Sequence, residues 1–260
     1  MVGSLSDAVD TPDSAGGSSG SARSGYPGLL LDPDQLGVPC RFPTVPMREL
    51  PAAGARHVSD ISLLRETPVA DEPLIALDSP RVLALPVYHR AGHEHAVTEL
   101  LVRVGVAGRL LDAVDTLPDG FGFVLLDAWR PLGLQDVLYR GAYDDGSLDP
   151  GFVAPPSTDP DCPSPHLTGG ALDISLTWEG FPLALGTAFD EFSAYARTDA
   201  FEERPGRVRD LRRLLHGALT AQGFLGLELE WWHFEFGTSS WSERTGDPHV
   251  YGPVLDPYAV

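Results

Sequence analysis

The period of the apolar positions changes along this chain, and each change predicts an element. From Glu94, residues Val97, Leu100, Leu101, Val104, Leu111 and Val114 recur at helical spacing up to Pro118-Asp119-Gly120, which predicts a long amphipathic helix. Residues 121–128 then form a compact apolar run rich in Phe, Val and Leu, too short for a typical helix and bounded by turn signals, hence a buried strand. Pro131 suits the first turn of a second helix, with Val137 and Leu138 turned inward. Residues 141–163 are rich in Gly, Asp and Pro and have no period, so they read as a long surface loop. In residues 171–177, Leu172, Ile174 and Leu176 alternate with Asp173, Ser175 and Thr177, the pattern of a strand with one face on a core. Val208, Leu211, Leu214, Leu215, Ala218 and Leu219 predict a further helix closed by Gly223, and residues 230–236 a last strand. The expected fold is α+β, a small mainly antiparallel sheet with helices packed on it.

The flanks are less regular. Residues 1–26 are mostly Ser, Gly, Asp and Ala, with almost nothing to bury, and are expected to be a disordered tail. Residues 28–80 carry many prolines and short apolar pieces such as Leu29-Leu30-Leu31 and Ile61-Ser62-Leu63-Leu64, and read as covering structure with a strand or two. A chain of 260 residues, 43% of them hydrophobic, can bury one sizeable core, so a single domain over residues 27–260 is expected. Eighteen basic residues against 37 acidic ones give a net charge of −19, which repels nucleic acid and anionic lipid. No stretch has the length of a membrane span and no secretory leader pattern opens the chain, so a cytoplasmic location is expected. Cys40 and Cys162 show no metal or redox spacing, which fits a reducing compartment but leaves open whether the two pair. Oligomeric state leaves no mark on the sequence.

Against this frame, two short segments carry candidate chemistry: Ser164-Pro165-His166-Leu167-Thr168-Gly169-Gly170-Ala171-Leu172-Asp173 and Glu230-Trp231-Trp232-His233. Together His166, Asp173 and His233 supply two imidazoles and a carboxylate, the count a hydrolytic zinc site uses while leaving a fourth position for water. Gly169 and Gly170 would let the backbone turn between His166 and Asp173. Each ligand alone has a plainer reading, as a loop histidine, a bonded strand acid and a core imidazole; the set gains weight from Glu230, a carboxylate placed to act as general base. Glu230 and His233 have opposite parity on a flat strand, so a bulge or strand end must re-aim one of them. Arg130, at a strand-to-helix junction, suits either stabilisation of an oxyanion or a salt bridge to Asp127 or Asp136, and the spacing leaves both open. His89, His93 and His95 cluster with no acidic partner beyond Glu94, and a solvated helix entry is the favoured reading there over a second metal site.

These segments resemble the zinc D-alanyl-D-alanine dipeptidases of the VanX type, whose pattern Ser-x-His-x-x-Gly-x-Ala-x-Asp is filled by Ser164, His166, Gly169, Ala171 and Asp173, and whose Glu-x-x-His is filled by Glu230 and His233. The similarity extends to Asp127-Ala128-Trp129-Arg130-Pro131 and to Gly186-Thr187-Ala188-Phe189-Asp190. It implies the hedgehog/D,D-peptidase fold, one zinc per chain, and hydrolysis of D-Ala-D-Ala or a similar small dipeptide. In the implied site Glu230 is general base and acid, Arg130 holds the scissile carbonyl, Asp190 meets the free ammonium and the Ser164 hydroxyl contacts substrate. Pro165 and Gly170 depart from the pattern and leave the exact dipeptide open. A D,D-carboxypeptidase acting on peptidoglycan precursors, or a binding protein that keeps the fold without turnover, would carry the same ligands. Protection from glycopeptides, wall recycling and biosynthesis would all use this chemistry.

Overall fold

The computed structural model of the chain describes residues 25–39, 42–47, 72–144, 146, 148 and 151–258. The greater part of the expected tail, the Ile61–Leu64 piece and Cys40 lie outside the described residues. Among those described, the elements in chain order are β1 (Leu74–Ala76), β2 (Val82–Ala84), α1 (Val87–Arg90), β3 (Leu101–Arg103), α2 (Val104–Asp115), β4 (Phe121–Asp127), α3 (Leu132–Tyr143), a 3-10 turn (Pro165–Thr168), β5 (Ala171–Trp178), β6 (Phe181–Pro182), α4 (Arg207–Thr220), β7 (Leu225–Gly226), β8 (His233–Glu235) and α5 (Ser239–Thr245).

The main sheet runs β2-β4-β5-β8-β7, with β6 paired to the far end of β5, while β1 and β3 form a separate ribbon. Every pair is antiparallel except β2 with β4. The molecule is therefore the α+β assembly the pattern predicts. β4 and β5 are its spine. Leu172, Ile174 and Leu176 on β5, and Phe123, Val124 and Leu126 on β4, are fully buried, and burying an aliphatic or aromatic side chain of this size stabilises the fold by roughly 1.5–3 kcal/mol. Helix α4 contacts both β5 and α2, so the apolar stripe of Leu211, Leu215 and Leu219 is spent on closing the core.

Three local expectations are corrected. The helical period from Glu94 becomes helix only at Val104, because Leu101–Arg103 pairs with Leu74–Ala76 as a ribbon; the histidine cluster before it consequently precedes a strand, not a helix. The polar side of β5 is buried as well: Ser175 donates to the Leu183 carbonyl at 2.8 Å, and Asp173 lies beneath the site described below. The last strand is shorter than expected, since Trp231 and Trp232 form a turn and pairing starts at His233. Both ends of the described chain are docked. Tyr26, at the end of the expected tail, donates its backbone N–H to the Phe189 carbonyl, and Val254 donates to the Leu167 carbonyl while accepting from the Trp129 indole at 3.0 Å.

Candidate active site

Strand register does most of the assembly. Asp173 on β5 stands opposite Asp127 on β4 and opposite His233 on β8, so three strands present one polar row across the sheet. Directly before β5, the 3-10 turn adds His166, and Gly169 ends that turn at φ +73°. An L side chain is strained at that φ, and a Cβ there would sit 2.2 Å from Leu74 Cδ2. Gly170 is needed for a different reason, since a Cβ on it would lie 2.6 Å from the Phe236 carbonyl oxygen. Both glycines thus have a physical role in aiming His166 and Asp173 at one point.

At that point Asp173 Oδ1 lies 3.0 Å from His233 Nδ1 and 3.5 Å from His166 Nε2. Two ligands of a tetrahedral ion with bonds of about 2.1 Å are separated by roughly 3.4 Å, so the spacing suits one shared cation. The three ligand atoms lie within 4.8 Å of one another, and no other such group occurs among the described residues. The far side of each ring is held. His166 Nδ1 is 2.8 Å from the Ala128 carbonyl, and His233 Nε2 is 2.9 Å from Glu235 Oε1. Both contacts turn the remaining ring nitrogen toward Asp173.

The charges in this row act on one another. Burial opposes ionisation of Asp173, but the two imidazoles outweigh it and hold its carboxyl well below the usual range. Burial would lower His233, yet Asp173 and Glu235 raise it to about 10. Glu235 also overcomes burial, its carboxyl falling to about 2 through His233, Ser240 and Thr238.

Around the row lies a cavity of about 760 Å³, lined by Tyr88, Arg130, Asp190, Glu230, both imidazoles and an apolar end that includes Tyr139, Phe152 and Phe192. Arg130 follows β4, and its Nε donates to Asp127 Oδ2 at 2.7 Å, its Nη1 to Gln135 Oε1 at 2.9 Å and its Nη2 to Asp173 Oδ2 at 3.3 Å. The salt bridge to Asp127 and a place in the cavity therefore coexist; Asp136 pairs with Arg140 instead. Burial would lower the guanidinium, but Asp127, Tyr88 and Asp173 more than compensate and raise it.

Glu230 is 6% exposed and precedes the Trp231-Trp232 turn, so the strand end re-aims it as the parity argument requires. Burial first, and then Asp173 and Asp190, push its carboxyl well above the usual value. The two tryptophans fix its surroundings. Trp231 Nε1 donates to Thr187 Oγ1 at 2.8 Å, and the Trp232 ring packs edge-on against Phe189 at 5.6 Å. Those contacts join the Glu230 segment to the loop that carries Asp190.

Asp190 adopts φ +58°, a left-handed conformation uncommon for a non-glycine residue. Its carboxyl is raised to about 7, chiefly by burial and then by Asp173, and it accepts a 2.8 Å hydrogen bond from Tyr88. Ser164 behaves differently from the expectation. Its hydroxyl donates to the Pro155 carbonyl at 2.9 Å and accepts from the Ser157 N–H at 2.8 Å, and it does not line the cavity.

Four site residues escaped the sequence reading as parts of the site: Tyr88, Asp127, Gln135 and Glu235. Glu235 had a signal, because it shares a strand face with His233. Tyr88 had none, since it arrives from α1 with no motif around it. His93, read as solvated, instead lies 2.6 Å from the Tyr26 hydroxyl. Cys162 is exposed and free.

The α+β fold carries a buried His-Asp-His group able to hold a metal ion. A family model described as D-ala-D-ala dipeptidase, peptidase M15, matches residues 78–250, and the chain belongs to that peptidase family. A D-alanyl-D-alanine dipeptidase of Synechocystis sp. is 28% identical over 221 residues, which is 70% of this chain and 90% of that protein. Another, from Escherichia coli (strain K12), is 32% identical over 145 residues, 55% of this chain and 65% of that protein. The family match begins ahead of the motifs and runs past them, taking in β2, α1 and α5.

Proposed function

We propose that this chain is a zinc dipeptidase that hydrolyses D-Ala-D-Ala or a similar D,D-dipeptide, with residues 27–260 acting as one catalytic unit. The observation that carries the reading is the convergence of His166, Asp173 and His233 on one point inside the cavity that Glu230, Arg130 and Asp190 also line. Membership of the peptidase family supports the reaction, and the D-alanyl-D-alanine dipeptidase activity for which both relatives are named supports the substrate.

Two imidazoles and one carboxylate suit zinc, and leave a position open on it. When bound, zinc supplies Lewis acidity, polarising the scissile carbonyl and acidifying water. Glu230 accepts a proton from the water that adds to the carbonyl and later passes it to the departing amine. Burial raises its carboxyl, which suits the return of the proton, and a cation held beside it would favour the ionised form that accepts one. Arg130 holds the carbonyl oxygen as negative charge develops there; its fork is already set by Asp127 and Gln135, so little reorganisation is needed. Asp190 receives the substrate ammonium, and this favours a dipeptidase over a D,D-carboxypeptidase, whose substrates have that amine acylated. Ser164 serves the site through the 155–157 backbone it bonds, in place of the direct substrate contact the resemblance implies.

The test is a panel of L,L, L,D and D,D dipeptides, each with its N-acetylated form, assayed with zinc-loaded wild type and Glu230→Gln. Wild type should cleave the free D,D-dipeptide and reject the acetylated one. Glu230→Gln should keep its zinc and lose kcat by about 10²–10⁴-fold, the range for a positioned acid-base group. Unchanged turnover in that variant would remove the general-base role.

A further inference from the structure

We propose that Glu235 is a positioning residue for the metal: its carboxylate fixes His233 in the one tautomer and ring orientation that present Nδ1 to the ion. This rests on the reading of His233 as a metal ligand, and goes beyond it by naming what makes His233 one.

Hydrogen-bond accounting decides the tautomer. Thr238 Oγ1 accepts the Trp241 N–H at 3.1 Å, as N-cap of α5, so its own hydrogen is directed to Glu235 Oε2. The Ser240 hydroxyl donates to the same oxygen. A carboxylate that takes two hydroxyl donors on Oε2 is an acceptor throughout, so the contact from Oε1 to His233 Nε2, 2.9 Å long, requires a hydrogen on Nε2. On a neutral ring that leaves Nδ1 as a lone pair, 3.0 Å from Asp173 Oδ1. Without a metal a proton on Nδ1 bridges to Asp173; a divalent ion takes the place of that proton, while Nε2 keeps its hydrogen on Glu235 in both states.

The two imidazoles are supported unequally. His166 Nδ1 bonds the Ala128 carbonyl at 2.8 Å with Asp127 Oδ2 farther off at 3.5 Å, whereas His233 bonds directly to a buried carboxylate clamped by two hydroxyls. A carboxylate behind a ligating histidine increases its basicity and locks its ring, and loss of such a partner typically lowers metal affinity about 10–100-fold. The plainer role, a buried ion pair kept for stability, is poorly favoured because desolvation offsets most of its gain.

Zinc dissociation constants from chelator competition, visible spectra of the cobalt-substituted proteins and melting of the metal-free forms distinguish the two roles in wild type, Glu235→Ala and Glu235→Gln. Glu235→Ala should lose zinc affinity about 10–100-fold and change the cobalt spectrum, while Glu235→Gln, whose amide oxygen still accepts the Nε2 hydrogen, should lose less and keep the wild-type spectrum. Wild-type affinity and spectrum in Glu235→Ala would overturn the role of Glu235 alone; failure of the wild type to bind zinc would overturn the metal site beneath it. Should Glu235→Ala not fold, Glu235→Gln and Ser240→Ala decide, a weakened affinity in either supporting the role and wild-type affinity in both refuting it.

Discussion

Asp190 sits where backbone and charge are both unusual, and the two can be separated by one substitution. Asparagine tolerates a left-handed φ almost as well as aspartate, so Asp190→Asn should keep the loop and the Tyr88 contact while removing the charge. A charged hydrogen bond contributes about 1.5–3 kcal/mol, so KM for a free dipeptide should rise roughly 10–100-fold with kcat nearly kept. The pH dependence has a definite sign. With its carboxyl raised to about 7, wild-type Asp190 is neutral below that pH and ionised above it. KM should therefore fall as pH rises through 7, until the substrate amine itself deprotonates near about 8. Steady-state kinetics from pH 6 to 8 would check this; a KM in wild type and variant that follows pH identically would count against Asp190 as the ammonium site. At this scale the sequence was most legible where chemistry is carried by a motif, as with His166, Asp173 and Glu230. It was least legible where a side chain enters from elsewhere, as Tyr88 does, or where a hydroxyl such as that of Ser164 is consumed by backbone the motif does not include.

Among the elements, β4, β5 and α4 stand within a few residues of where the apolar pattern puts them, and α3 begins where Pro131 puts it, although its buried residues are Leu134, Gln135 and Ala142 and not Val137 and Leu138. The segment before Val104 does not follow the pattern, because Leu100 and Leu101 fit a helix face and a buried strand equally well. What settled it is pairing with β1, a partner far upstream that no local window contains. β8 was overextended for a related reason, since a Glu-Trp-Trp-His run looks like a strand until the tryptophans are required to reach the 187–189 loop. Helix α4 carries one residue that its apolar stripe conceals. His216 faces the Phe234 ring at 6.0 Å, its Nδ1 is buried without a hydrogen-bond partner among the described residues, and burial lowers its pKa to about 4. A folded pKa below the unfolded value of about 6.5 means that the unfolded chain takes up the proton first, so stability is lost as pH falls through that window. The expected loss at pH 4.5 is roughly 2–3 kcal/mol. His216→Leu should remove this part of the acid sensitivity, so the difference in Tm between variant and wild type should grow in favour of the variant from pH 7.5 to pH 4.5. A constant difference would show that His216 is not the titrating group.

Across the whole molecule, the site acts as a clasp between segments that are distant in the chain. His166 belongs to the 3-10 turn, Asp173 to β5 and His233 to β8, and the carboxyl-terminal segment binds both the turn, through Leu167, and the β4 exit, through Trp129. An ion shared by those three ligands stabilises only the state in which all three segments are in place, so metal binding and folding are one equilibrium. With free zinc at about a thousand times its dissociation constant, the gain is about 4 kcal/mol. For a domain of this size that is a rise in Tm of roughly 8–16 °C. Chelation should reverse the rise. His166→Ala should melt at one temperature with or without zinc, while Glu230→Gln, which removes the base and leaves all three ligands, should keep the full shift. Scanning calorimetry of the three proteins, each with zinc and with chelator, therefore separates the ligands from the base without measuring activity. The same comparison tests whether the clasp spans the fold: a zinc-induced shift confined to a minor early transition would mean that the 3-10 turn and the β5–β8 edge melt independently of the β4 core.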